Sequence, residues 1–162
     1  MGQLDIPTVR EVMTRSVVTL RPEMAAADAA ALLLRHSISG APVLDADGTL
    51  VGMLSELDCL RVVAVSGYEK NAYDLSETVA QLMSTTLHTV APDLDLFGLT
   101  QEFMRLRKRR LPVVDNGRLV GQVSRRDALR AVLTLRQAPQ KTALRYPDYP
   151  RGRNPIAHYP RR

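Results

Sequence analysis

The chain has 162 residues, of which 45% are hydrophobic and 24% are charged, and it contains a single cysteine, Cys59. This length suits one compact domain or two small halves that share a core, and the composition is that of a globular protein rather than a disordered or fibrous one. One cysteine excludes an internal disulfide framework and a cysteine-based zinc cluster. The three histidines are isolated and lack metal-ligand spacing, so we expect no metal site.

Two further classes of protein are disfavoured by the pattern of apolar residues. No run of 18 apolar residues occurs, which predicts no membrane span. Residues 1–11 lack the apolar segment of a secretory signal. We therefore expect a reducing, cytoplasmic setting.

The formal net charge of +5 belongs to the C-terminal segment, residues 137–162. This segment has six basic residues and one acidic residue, whereas residues 1–136 carry equal numbers of both. Five of the ten prolines also lie there, which predicts an extended or disordered tail. The tail is either a solvated terminus or a basic arm that contacts nucleic acid, a membrane surface or an acidic partner.

An internal repeat organises the rest of the chain. Residues 8–66 align with residues 79–136 at an offset of 70 that becomes 69 after one deletion, and residues 67–78 form the predicted linker. Each repeat is predicted to contain a helical turn, a brief strand, a helix, a hairpin of two strands and a final helix. The predicted elements of the first repeat span residues 8–14, 17–20, 24–35, 42–44, 50–54 and 55–66.

The second repeat has the same pattern. Its long helix carries Leu96, Leu99, Phe103 and Leu106 on one face. The other elements are predicted over residues 78–84, 87–90, 112–114, 119–123 and 124–136, and the last two strands join at Asn116-Gly117, a favoured tight turn. A unit of about 60 residues is marginal alone. We therefore predict an α+β fold of two pseudo-symmetric α-β-α-β-β-α repeats packed sheet to sheet.

With the repeat laid out, the chain resembles the cystathionine-β-synthase (CBS) domain family in its tandem form, the Bateman module, over about residues 8–136. The resemblance is carried by VREVMTRSVVTLRP, ISGAPVLDADGTLVGMLSELDCL, VAQLMSTTLHTVAP and RRLPVVDNGRLVGQVSRRDAL. It implies a CBS fold and a regulatory ligand-binding module, with no required cofactor. The implied ligands are AMP, ADP, ATP, S-adenosylmethionine and NAD, bound in clefts between the halves. Standalone pairs of this family usually form homodimers, so we expect a homodimer that signals to an unidentified regulated protein.

The resemblance also implies which residues bind the ligand. The ribose motif falls on Ser55 and Asp58, and on Ser124 and Asp127. The residues implied to line the adenine side of each cleft are Thr19, Ser39, Gly40, Ala41 and Pro42 in the first repeat, and Thr89, Arg109, Arg110, Leu111 and Pro112 in the second.

The chemistry of these positions suits a nucleotide. One carboxylate can accept hydrogen bonds from both ribose hydroxyls, and a helix N-terminus favours a phosphate. Arg109, Arg125 and Arg126 are the phosphate candidates, so we expect the Asp127 cleft to be the better nucleotide site; folding can instead carry these arginines to a ligand held by Asp58. Ser-x-x-Asp before an apolar helix is also the pattern of a capping box, and this alternative stays open.

No arrangement typical of a nucleophile or an acid–base pair occurs in the sequence, so we predict no enzyme. Two alternatives to a ligand sensor remain. One is an interaction scaffold with degenerate clefts, and the other is nucleic-acid binding through the basic tail.

Overall fold

The structure is a computed structural model, and it describes residues 6–70 and 75–137. Within these ranges, ten elements follow one another in two similar sets of five. The elements are α1 (Val9–Val12), α2 (Ala26–Arg35), β1 (Gly40–Leu44), β2 (Leu50–Ser55), α3 (Glu56–Lys70), α4 (Val79–Leu82), α5 (Leu96–Leu106), β3 (Arg110–Asp115), β4 (Arg118–Ser124) and α6 (Arg125–Gln137).

Each half contains an antiparallel hairpin that ends beside the start of its last helix. In the first half Gly40 pairs with Ser55, and in the second half Arg110 pairs with Ser124. The predicted Asn-Gly turn is confirmed, because φ is +49° at Asn116 and +77° at Gly117, a left-handed conformation that few other residues adopt. The α+β fold class is confirmed as well.

The prediction of a third strand in each half is wrong. Residues 17–20 and 87–90 contribute one parallel bridge each, Leu20 with Val43 and Val90 with Val113, so each sheet has two strands. The physical reason is the proline in the neighbouring strand at Pro42 and at its repeat equivalent. A proline has no N–H and therefore cannot donate a hydrogen bond to the neighbouring segment. In the first half, Pro42 only accepts one, through its carbonyl, from the Leu20 N–H at 2.9 Å.

Helix α3 is longer than the sequence pattern indicated. The predicted end was residue 66, where Gly67 and a polar stretch follow, but the helix continues to Lys70 and enters the predicted linker. A glycine costs a helix about 1 kcal/mol relative to alanine but leaves the backbone hydrogen bonds intact. One glycine is therefore too weak a signal to end a helix. The predicted tail, apart from Gln137, lies outside the described residues.

The opening segments of the two halves are exchanged. Val9, from the first half, is fully buried in a core built from α5, β3, β4 and α6 of the second half. Val79, the repeat equivalent of Val9, is fully buried in the core of the first half. The Val9 N–H donates to the Leu94 carbonyl, and the Val79 N–H donates to the Met24 carbonyl, each at 2.8 Å. Each hydrophobic core is thus completed by a segment of the other repeat.

Candidate functional site

A polar cleft of about 610 Å³, called the larger cleft below, lies between the halves. Ser39, Gly40, Ser55 and Asp58 of the first half line one side. The opposite side is formed by a continuous segment of the second half: Arg107, Lys108, Arg109, Arg110, Leu111 and Pro112. The structure therefore brings the first ribose motif together with the second adenine segment.

The ribose motif of this cleft has the geometry of a capping box. Strand β2 ends at Ser55 and α3 begins at the next residue, so the first N–H groups of the helix lack partners within it. Oδ2 of Asp58 accepts hydrogen bonds from the Ser55 N–H at 2.9 Å and from the Ser55 hydroxyl at 2.6 Å. In return the Asp58 N–H donates to Ser55 Oγ at 3.3 Å. The capping alternative therefore holds in this structure.

The second carboxylate oxygen of Asp58 lies outside the capping box. Oδ1 lies 3.5 Å from a guanidinium nitrogen of Arg61, whose side chain is 70% exposed. An ion pair with so exposed an arginine is weak, worth about 0.2–1 kcal/mol. Since Oδ2 serves the cap and Oδ1 has only this exposed partner, Asp58 can cap α3 and still accept a further hydrogen bond.

Helix α5 ends in a way that directs basic side chains to this cleft. Arg107 adopts the left-handed conformation at φ +53° and forms the C-cap of the helix. The chain then passes through Lys108 and Arg109 to β3, and all three side chains line the cleft. Of these three cations, Arg109 was a phosphate candidate from the sequence. The structure places all three in the cleft that Asp58 also lines.

The smaller cleft, about 250 Å³, contains the second ribose motif. Oδ2 of Asp127 accepts from the Ser124 N–H at 2.8 Å and from the Ser124 hydroxyl at 2.6 Å, and Oδ1 lies 3.3 Å from Arg130. Arg126 also lines this cleft. We expected this cleft to be the better nucleotide site, but its volume is less than half that of the other. The geometry therefore favours the Asp58 cleft.

Several predicted site residues lie away from both clefts. Arg125 is the first residue of α6 and lines a separate apolar groove between α5 and α6. Ala41 is fully buried in the first core, and Pro42 is buried beside it in β1. Thr19 is half-buried and Thr89 is exposed, and neither lines a cleft, although Val17 and Val18 line the smaller cleft and His88 lines the larger one.

The sequence analysis missed two kinds of residue. Arg130, which pairs with Asp127, was overlooked although its repeat equivalent Arg61 stands at the same three-residue spacing from Asp58. That repeated spacing was the available signal. Ser84 and His88 also line the larger cleft, and no local motif marks them, because the exchange of the opening segments brings them there.

Within residues 6–70 and 75–137, no helix combines the length and the apolar character needed to cross a membrane. The same ranges contain no group of three or more His, Cys, Asp or Glu residues placed to hold a metal ion.

Comparison with known proteins defines the class of protein. The family model for the CBS domain matches residues 9–65 and residues 79–134. The chain therefore belongs to the CBS domain family and contains two copies of the domain, as the resemblance implied.

Particular relatives are CBS domain-containing proteins. The chain is similar to the CBS domain-containing protein YhcV of Bacillus subtilis (strain 168), with 34% identity over 118 residues, 72% of this chain and 79% of that protein. It is similar to the chloroplastic CBSX2 of Arabidopsis thaliana, with 29% identity over 160 residues, 83% of this chain and 67% of that one.

Solved structures agree with the fold. The crystal structure of CBSX2 in complex with AMP has a TM-score of 0.70 and 29% identity, covering 81% of this chain and 99% of that chain. The CBS-domain containing protein ATU1752 from Agrobacterium tumefaciens has a TM-score of 0.69 and 29% identity, covering 82% of this chain and 98% of that chain.

Proposed function

We propose that this protein is a regulatory module that binds an adenine nucleotide in the larger cleft. One observation carries the proposal. The Asp58 carboxylate and the basic segment from Arg107 to Arg110 line the same cleft from opposite halves of the chain. In a nucleotide the ribose, with its two hydroxyls, links the base to the anionic phosphate, and this cleft offers an acceptor for the hydroxyls and cations for the phosphate.

The ribose is assigned to Asp58. Its Oδ1 is the oxygen outside the capping box, and the exposed guanidinium of Arg61 can move aside at little cost. The 2′ and 3′ hydroxyls donate to this oxygen, and a charged acceptor makes hydrogen bonds roughly twice as strong as a neutral one. Asp58 then keeps its cap while it binds the sugar.

The adenine ring is assigned to the wall formed by Gly40, Leu111 and Pro112. Leu111 and Pro112 are buried and apolar, and Gly40 is held close to β2, where an added Cβ would lie 2.9 Å from the Leu54 carbonyl oxygen. A flat ring fits against such a wall, and the backbone groups at the strand starts can meet its polar edge.

A relative supports the ligand class. CBSX2, which is 29% identical to this chain, has been crystallised in complex with AMP. We extend that ligand to this protein, with ADP, ATP, S-adenosylmethionine and NAD as the other members of the test panel. No metal or cofactor is part of this assignment.

The regulatory output is proposed to pass through a homodimer. Helices α3, α5 and α6 each expose several large apolar side chains, and apolar patches mark interaction sites where they are contiguous. The exposed residues are Leu57, Leu60, Val65, Phe97, Met104, Leu129, Val132 and Leu133. We assign these faces to the interface with a second copy of the chain. The arrangement of the two copies changes when the nucleotide binds one arrangement more tightly than the other. Sedimentation velocity should show a dimer for the native chain and a monomer for Leu129→Glu.

Thermal unfolding with the five ligands tests the proposal. A ligand at one hundred times its dissociation constant stabilises the folded state by about 2.7 kcal/mol. Asp58→Asn should remove the part of the shift that comes from the larger cleft, and Asp127→Asn is the matched control that should keep it. No shift with any ligand at millimolar concentration would favour an interaction scaffold with degenerate clefts. Binding to nucleic acid that weakens steeply with salt would favour the basic tail as the working part.

A further inference from the structure

Arg110 contributes to the lining of both clefts. Among the described residues, it is the only one that lines both the larger cleft and the smaller one. It is the first residue of β3 and pairs with Ser124, which belongs to the capping box of the smaller cleft. Its side chain reaches the other way as well, because Nη2 lies 3.4 Å from Oγ of Ser39 on the wall of the larger cleft.

The guanidinium is held in place but has spare donors. Arg110 is half-buried, and its Nε is buried with no hydrogen-bond partner among the described residues. The Ser39 contact is long for a hydrogen bond, whose usual N···O distance is about 2.9–3.0 Å. A buried donor without a partner is costly, so the group is poised for an acceptor that a ligand would supply.

The repeat provides no second arginine of this kind. The repeat equivalent of Arg110 is Gly40, which pairs with Ser55 just as Arg110 pairs with Ser124. No side chain fits at Gly40, since a Cβ there would lie 2.9 Å from the Leu54 carbonyl oxygen. Exact symmetry of the two repeats would place an arginine at both equivalent positions, but only the second repeat has one.

We propose that Arg110 is a phosphate ligand shared by the two clefts, so that a nucleotide in one cleft lowers the affinity of the other. The proposal rests on the assignment of nucleotides to these clefts. A bidentate grip on a phosphate fixes the orientation of the planar guanidinium, so we expect a grip in one cleft to turn the paired donors away from the other cleft. By linkage the effect is reciprocal, and coupling of this type is typically about 5–150-fold in affinity.

Isothermal titration of the full chain with AMP tests the sharing. In the native chain we expect one strong phase and a second phase that is weak or absent. In Asp58→Asn, which disables the larger cleft, the smaller cleft should bind AMP about 5–150-fold more tightly than the second phase of the native chain. In Arg110→Gln, both clefts should bind weakly, and Asp58→Asn added to this background should leave the smaller cleft unchanged.

Two controls separate sharing from a general loss of affinity. Arg109→Gln removes a cation that lines only the larger cleft, so it should weaken that cleft and preserve the coupling. Adenosine, which lacks phosphate, should bind without coupling in the native chain and in Arg110→Gln alike. Two independent AMP phases in the native chain would overturn the sharing and leave the nucleotide assignment intact. No AMP binding at all would overturn the assignment itself.

Discussion

The hydroxyl of Ser55 lies 2.6 Å from Oδ2 of Asp58, and the Ser55 N–H donates to the same oxygen at 2.9 Å. The other carboxylate oxygen, Oδ1, is the one that faces Arg61. The two oxygens of one side chain thus have separate surroundings, because Oδ2 holds the start of α3 and Oδ1 stands outside the capping box. Stability and nucleotide affinity can therefore be changed separately at this position.

Asp58→Ala should lose both properties. Removal of the capping carboxylate should lower the free energy of unfolding by about 1 kcal/mol, and AMP binding to the larger cleft should disappear. Asp58→Asn retains an oxygen for the cap, so it should lose binding with a smaller loss of stability. Urea unfolding and AMP titration measure the two effects. Asp127→Ala is the matched control, with a similar stability loss and retained binding. An unchanged strong phase of AMP binding in Asp58→Ala, at the affinity of the native larger cleft, would contradict the ribose assignment.

The exchange of the opening segments predicts that two distant substitutions have equal effects. Val9 and Val79 are both fully buried, each in the core of the opposite repeat. Val9→Ala and Val79→Ala should each reduce stability by about 1–3 kcal/mol, the range for deleting two buried methyl groups. Urea unfolding of both variants should remain a single transition. Separate unfolding of the two halves in either variant would show that the exchange does not couple them.

Two glycines at repeat-equivalent positions should respond differently to alanine. At Gly121 an added Cβ would lie 2.6 Å from the Met13 sulfur and 2.9 Å from the Thr14 carbonyl oxygen. At Gly52 the close atoms all belong to the flexible side chain of Met83.

A side chain can move but the backbone carbonyl cannot, so Gly121→Ala should cost about 1–3 kcal/mol, the range for overpacking, and Gly52→Ala should cost less. Thermal or urea unfolding of the pair measures the difference. Equal losses would show that the Thr14 backbone yields as easily as the Met83 side chain.

Cys59 gives a pH dependence with a defined sign. Burial raises the pKa of this thiol, and the neighbouring Asp58 and Glu56 carboxylates raise it further. Above about pH 8.5, where an unfolded cysteine loses its proton, the folded chain still keeps it. The unfolded state then binds fewer protons than the native state, so the contribution of this group to stability falls as pH rises.

The measurement is the urea midpoint against pH for the native chain and for Cys59→Ala. The native chain should lose more stability on the alkaline side than the variant does, and Ellman's reagent should label Cys59 slowly at neutral pH. Parallel profiles for the two proteins would show that the thiol has an ordinary pKa.

The elements that local patterns determine were predictable from the sequence. The hairpins, the Asn116-Gly117 turn and the amphipathic α5 follow from turn chemistry and from side-chain periodicity. The pairing of Ser55 with Asp58 was predictable as a motif, because a Ser-x-x-Asp spacing closes on itself at a helix start.

Features that depend on contacts between the repeats were not predictable. The burial of Val9 in the second core and the placement of Arg110 between two clefts join residues far apart in the chain. The sequence favoured the Asp127 cleft because the arginines lie near it in the chain. Folding instead carries the basic segment to the Asp58 cleft.

A crystal structure of the chain grown with AMP tests the central claim most directly. We predict electron density in the larger cleft, with the ribose hydroxyls within hydrogen-bond distance of Asp58 Oδ1 and the phosphate against the segment from Arg107 to Arg110. An empty larger cleft at saturating AMP, or AMP bound with its ribose away from Asp58, would contradict the account.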